Sequence, residues 1–231
     1  MKYLLLTLLI LSGWPIFAQP LEYRAEYVAE YRGLPVRAKG IRELVRLEDN
    51  RYRMSSLATS FLAKISETSE FVLEGDTLQP QDYQYRRTGL GKNKSESSQF
   101  DWASGLLIAG DLTSELAPGT HDKLSYQFQL RQDVAEAITT GINDPILEYL
   151  VADEEKRKLY RFEIVGEEII ETPVGVMNTV RVERLREDSN RETIFWLAID
   201  HDFVLVKFIQ LEGDKGFELN LSSATVGGVA L

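Results

Sequence analysis

Few residues in this chain are equipped for chemistry. Cysteine is absent, so thiolate metal sites, thiol nucleophiles, disulfides and a lipid on an N-terminal cysteine are excluded. There are two histidines, His121 and His201. His201 sits in Asp200-His201-Asp202, which can be drawn as a metal site or as an acid–base pair. The same three residues make a polar hairpin turn between Leu197 and Phe203, and aspartate favours turns, so the turn is the reading adopted. His121 precedes Asp122 at the start of a helical pattern. There Asp122 would serve the free backbone N–H groups while His121 stays solvated. Asp153, Glu154-Glu155 and Glu167-Glu168 could do general acid–base work in a cleft. With 36 acidic residues, though, adjacent carboxylates in exposed turns are expected. No Gly-x-Ser-x-Gly and no His-Glu-x-x-His occurs. Gly89-Leu90-Gly91-Lys92 lacks the upstream glycine and the following Ser or Thr of a phosphate loop, and reads as a plain loop. The expectation is no catalysis, no cofactor and no metal.

Two other groups of residues suit binding. Tyr23, Tyr27 and Tyr31 recur at even spacing and would form a stripe on one face of a strand. Arg86, Arg87, Lys92 and Lys94 form a basic cluster around the glycine loop. At a membrane surface each such charge is worth about 1 kcal/mol against anionic head groups. The chain as a whole carries 26 basic and 36 acidic residues, net −10, which argues against general nucleic-acid binding.

The elements that must position these groups can be read in order. Met1-Lys2, the apolar run Tyr3 to Leu11, the break Ser12-Gly13-Trp14-Pro15 and Ile16-Phe17-Ala18 follow the plan of a secretory signal peptide cleaved after Ala18. The run is too short for a bilayer core of about 30 Å. Residues 19–231 are then one exported domain. From Leu21 to Arg32 the chain alternates, with Leu21, Tyr23, Ala25, Tyr27, Ala29 and Tyr31 on one face and mostly charged residues on the other. That is a long strand with one dry face. Val36 to Glu48 reads as its return, with a change of phase near Gly40 from Val36 and Ala38 to Ile41, Val45 and Leu47 that suggests a bulge. Tyr52 to Ala58 follows, and turn residues then punctuate short β-rich runs as far as Phe217 to Leu221. Thr120 to Thr140 differs: Tyr126, Leu130, Val134 and Ala137 stand at helical spacing. The fold class is therefore mainly β, a single curved antiparallel sheet (an open or half β-barrel) with one central helix packed on its concave side.

Four stretches carry a resemblance that spans nearly all of residues 19–231. They are Tyr23 to Tyr27, Gly119 to Arg131 with Asp122-Lys123-Leu124-Ser125, Thr172-Pro173-Val174-Gly175 to Arg181, and Phe195 to Asp200. Their order resembles the family of bacterial envelope proteins known as domain of unknown function 3108. The family often carries proline in the strand after its Trp-x-x-x-Asp turn, where this chain has Val204-Leu205-Val206. The half-barrel also looks like the fold of bacterial lipoprotein carrier proteins, which hold acyl chains on a concave face.

The expected function is that of a periplasmic protein that binds a lipid, another apolar molecule or a lipid-modified protein without catalysis. Tyr23, Tyr27, Tyr31, Phe128 and Trp196 would line the concave face, and Arg86, Arg87, Lys92 and Lys94 would steer head groups. Peripheral contact with a membrane fits this reading, and nucleic acid is not among the expected partners. The alternative is an envelope interaction protein with a filled core, which takes a protein partner along an edge strand or a surface patch.

Overall fold

The alternation of Leu21 to Arg32 materialises as β1 (Tyr23–Arg32), in which Tyr23, Ala25, Tyr27 and Ala29 are buried and the residues between them are not. The computed structural model describes residues 19–32, 37–48, 50–75, 77–89, 91, 93–142, 145–153, 156–187 and 189–231. The N-terminal segment 1–18, Lys92 and the pair Glu154-Glu155 lie outside them. After β1 a meander runs through β2 (Arg37–Glu48), β3 (Arg51–Thr59), β4 (Ala63–Glu74) and β5 (Thr77–Gly89). It ends with β6 (Lys94–Asp101), β7 (Leu106–Ala109) and β8 (Leu112–Glu115). A short β9 (Thr120–His121) leads into the helix α1 (Ser125–Thr140). The second meander comprises β10 (Ile146–Asp153), β11 (Lys156–Thr172), β12 (Gly175–Leu185), β13 (Arg191–Ala198) and β14 (Val204–Glu212). It closes with β15 (Lys215–Val226) and β16 (Val229–Ala230).

All these strands belong to one sheet, ordered from β8 through β1 to β15 and on to β9, with β16 paired to β15. The two meanders join where β1 pairs with β15, Tyr23 opposite Val226 and Tyr31 opposite Phe217. Every pairing is antiparallel except β9 with β10. The sheet is curved and unclosed, and α1 lies on its concave face, as the sequence pattern implies. Among the described residues no helix is long and apolar enough to cross a membrane.

The helix begins later than its spacing predicts. Asp122 Oδ1 accepts the backbone N–H groups of Leu124 (2.7 Å) and Ser125 (2.8 Å). This closes a turn before the first helical residue, so Thr120 and His121 are left extended against β10. At the other end Gly141 takes a left-handed conformation (φ 70°) and donates to Ala137 O, the usual way a helix stops. The inward side of α1 buries Tyr126, Phe128, Leu130, Val134 and Ala137. Phe128 packs on Phe71 of β4 at 4.8 Å, and Tyr126 stacks on Phe162 of β11 at 5.9 Å. Burying such side chains contributes roughly 1.5–3 kcal/mol each.

Strand β2 corrects the phase change expected at Gly40. Its pairing with β1 is regular there, with Tyr27 opposite Gly40 and Ala25 opposite Arg42. The inward set is Gly40, Arg42 and Leu44, all buried, while Val45 is exposed. An arginine pointing inward mimics a change of face when only hydrophobicity is read. Gly40 serves close approach instead: a Cβ there would meet Tyr27 Cβ at 3.2 Å.

Candidate functional site

Strand register lays one polar rung across the concave face. Ala25 stands opposite Arg42, Arg42 opposite Ser56, Ser56 opposite Glu67, Glu67 opposite Tyr85, and Tyr85 opposite Glu96. Opposed residues of paired strands share a face, so these side chains form a continuous polar line over β2 to β6. The neighbouring rung, Tyr23, Leu44, Met54, Ser69 and Tyr83, lies deeper and is buried. The helix covers that deeper rung and stops at the polar one. Arg42 Nη2 donates to Gln127 Oε1 at 2.6 Å, and Gln127 Nε2 donates to Lys123 O at 2.8 Å.

Beyond the helix N-terminus the concave face opens into a cleft of about 540 Å³. Its apolar lining comes from Ile65, Leu124, Phe208, Phe217 and Leu219 and from the rings of Tyr85, Tyr126 and Tyr160. Seven basic side chains line it (Arg42, Lys94, Lys123, Lys158, Arg184, Arg186 and Arg191) against three acidic ones (Glu67, Glu96 and Asp153). In a chain of net charge −10 this is a local reversal of sign. The volume lies inside the range of roughly 300–1,000 Å³ common for small-molecule sites.

The charges are arranged unequally. On one side Lys123 Nζ sits 3.0 Å from Glu96 of β6 and 2.6 Å from Asp153 of β10, so a single ammonium ties the two limbs of the unclosed sheet together. Lys94 also pairs with Glu96, and Lys158 with Asp153. Burial acts to raise the Asp153 carboxyl, but the hydrogen bonds from Lys123 and Lys158 hold it at about 2. Glu67 is pushed up by burial, against the hydrogen bond from Tyr83 (2.9 Å) and the charges of Arg42 and Lys123. Farther round the sheet the arginines have no such partners among the described residues. Arg184 lays its guanidinium over Tyr160, 3.3 Å from the ring centroid. Arg186 donates to Arg191 O and to Thr193 Oγ1, both at 2.9 Å. Burial, and then the charges of Arg184 and Arg191, lower the Arg186 guanidinium to about 10.

A curved, unclosed sheet of this kind has a counterpart among known proteins. The chain belongs to the family described as Protein of unknown function (DUF3108), matched over residues 23–220. The crystal structure of a β-barrel-like protein of domain of unknown function DUF1849, from Brucella abortus, is similar at a TM-score of 0.59. The two share 10% sequence identity, over 90% of this chain and 99% of that one. At that identity the likeness shows the fold alone. No curated protein matches the chain.

In this DUF3108 chain the five expected lining residues part company. Tyr23, Tyr27 and Phe128 come together beneath the helix, 7%, 2% and 1% exposed. They are core: a void that Tyr23 and Phe128 border holds about 20 Å³, room for roughly one water. The Tyr27 hydroxyl donates to Leu205 O at 2.8 Å. Tyr31 is 40% exposed and edges a second hollow of about 410 Å³, which shares Arg191, Gln210 and Phe217 with the main cleft. Trp196 lies on the convex face, packed with Ile194, Ile209 and Leu211. Its indole donates to Glu168 Oε2 at 2.8 Å, between the cations of Arg181 and Lys207. In β13 the inward residues are Phe195 and Leu197, one step out of phase with Trp196, so it does not line the concave face.

The basic cluster is divided as well. Arg87 and Lys94 oppose each other on the concave face, whereas Arg86 opposes Ser95 on the other side, and Lys92 lies outside the described residues. His121, expected in solvent, is buried with Nδ1 unbonded, edge-on to Tyr149 at 5.8 Å. Asp200-His201-Asp202 forms the turn between β13 and β14. Among the described residues no three of His, Asp and Glu gather as a metal site. The basic cleft residues that sequence reading passed over are Arg42, Lys123, Lys158, Arg184, Arg186 and Arg191. The one signal for them was Arg42, a charge at an inward position of an otherwise alternating strand.

Proposed function

We propose that this DUF3108 protein is a non-catalytic binding protein that holds an apolar or amphipathic small molecule in the concave cleft beside the helix N-terminus. The observation that carries the reading is the cleft itself, about 540 Å³ with aromatic and aliphatic lining among its charges. Membership of a family of unknown function and a β-barrel-like neighbour are compatible with binding without chemistry. The plan of residues 1–18 supports export, and the periplasm is the proposed place of action.

Native mass spectrometry of the purified protein, with organic extraction of any adduct, tests the reading. A discrete adduct of a few hundred daltons that extracts as lipid is the expected result. A bare mass, with no uptake from a mixture of fatty acids, lysolipids and phospholipids, would overturn it in favour of a protein partner at an edge strand.

A further inference from the structure

The arginine side of the cleft has a chemistry that an apolar ligand does not need. Arg184, Arg186 and Arg191 face one space, and no carboxylate among the described residues pairs with any of them. The nearby lysines show the contrast, since Lys94, Lys123 and Lys158 are each matched to Glu96 or Asp153. Gathering three guanidinium groups costs free energy; burial first, and then the charges of Arg184 and Arg191, lower the proton affinity of Arg186. Two of the three are also held in place. Arg184 is stacked on Tyr160, and its Nε is buried without a partner. Arg186 is fixed by Arg191 O and Thr193 Oγ1. A planar guanidinium fork so held matches the oxygens of a carboxylate or phosphate, which it binds through paired N–H donors.

We infer that Arg184, Arg186 and Arg191 form an oxyanion site, so that the ligand of this cleft is an acidic amphiphile whose carboxylate or phosphate head sits on the arginines and whose apolar part lies along Tyr160, Phe208 and Phe217. The inference rests on the binding reading above and specifies the ligand's head group. On the opposite side the ammonium groups are already matched to Glu96 and Asp153, which leaves the arginines to set the direction of that head in the cleft.

Isothermal titration of the full chain with three probes tests this: lysophosphatidic acid, the monoacylglycerol of the same acyl chain, and inorganic phosphate. Lysophosphatidic acid should bind at least tenfold more tightly than the monoacylglycerol, and raising NaCl from 50 to 500 mM should shrink the difference. Arg186→Gln and Arg191→Gln should each weaken lysophosphatidic acid binding several-fold and leave monoacylglycerol binding unchanged. Arg191 is exposed, so its variant tests the site even where Arg186→Gln perturbs the fold, as read by circular dichroism. Equal affinity for the two lipids, insensitive to both substitutions, would overturn the oxyanion site while the binding reading stands. Phosphate binding that is lost in the variants, with neither lipid bound, would keep the oxyanion site and overturn the acyl-binding reading. Failure of all three probes would overturn both.

Discussion

At His121 the imidazole Nδ1 has left water without gaining a hydrogen-bond partner, and the residue is 7% exposed. Burial alone lowers its proton affinity to a pKa of about 4 from the usual 6.5. The unfolded chain therefore takes up a proton near pH 6.5 that the folded chain refuses until about pH 4. The neutral histidine's contribution is fully present above pH 6.5 and is lost as pH falls towards 4, on the order of 3 kcal/mol in all. Neighbouring Asp122 acts in the opposite sense, because burial raises its carboxyl, and its contribution grows as pH falls. It is present with or without His121 and cancels in a difference. Urea unfolding of the wild type and of His121→Phe at pH 7, 5.5 and 4.5 isolates the histidine. The wild type should lose about 2–3 kcal/mol relative to the variant across that range, and parallel curves would mean that His121 titrates normally. The role of Asp122 was legible from its place before a helical run, since capping is a local act. The burial of His121 was not, because it depends on Tyr149, 28 positions along the chain. The same holds for the tyrosine stripe: alternation shows that Tyr23, Tyr27 and Tyr31 share a face, but only the helix above them decides that two are core and the third is exposed.

At the scale of elements, α1 is fastened to the sheet mainly by apolar contacts, by the hydrogen bonds of Arg42 to Gln127 and of Tyr149 to Asp133, and by a charged clamp at Arg131. Arg131 is 5% exposed; its Nε donates to Asp202 O at 2.6 Å, and Nη2 meets the Asp202 carboxylate. Its guanidinium also lies 5.0 Å from the Tyr23 ring centroid. The turn that receives it is strained, because Asp202 and Phe203 have φ of 51° and 52°, a region costly for residues with a Cβ. Arg131→Ala leaves the Asp202 side without its cation and opens space beside Tyr23. It should cost about 3 kcal/mol in urea unfolding, at the lower end for a broken buried pair because Asp202 is partly solvated. Asp202→Gly keeps the carbonyl that Arg131 Nε uses and relieves one left-handed residue. Its loss should be about 1–2 kcal/mol smaller than that of Arg131→Ala; equal losses would mean that the carboxylate, not the carbonyl, holds the helix. Sequence periodicity found this helix and most strands because each reports its own dry face. It failed at β2 and β13, where Arg42 points inward and Trp196 outward, since both are placed by what packs against them rather than by their own hydrophobicity.

For the molecule as a whole, the question is whether the two meanders fold as one unit. They are joined by the long seam of β1 on β15, by α1, which approaches β4 and β5 on one side and β10 on the other, and by Lys123 between Glu96 and Asp153. Each meander alone would expose the side of the core that the helix covers, with Phe71 on the first and Phe162 on the second, both fully buried in the whole. Exposing such a surface removes roughly 25 cal/mol per Å² of stabilisation, so neither half should persist once the other melts. Two tryptophans report the halves separately. Trp102 hydrogen-bonds Pro80 O at 2.7 Å in the first meander, and Trp196 sits on β13 in the second. With Trp14 replaced by Phe, the Trp102→Phe and Trp196→Phe chains each carry one reporter. In each, fluorescence and far-ultraviolet circular dichroism should give the same urea midpoint. The seam predicts this agreement because unpairing β15 from β1 frees an edge on both halves at once. Fluorescence leading dichroism in one chain and trailing it in the other would show two separately melting halves, with the helix belonging to only one of them.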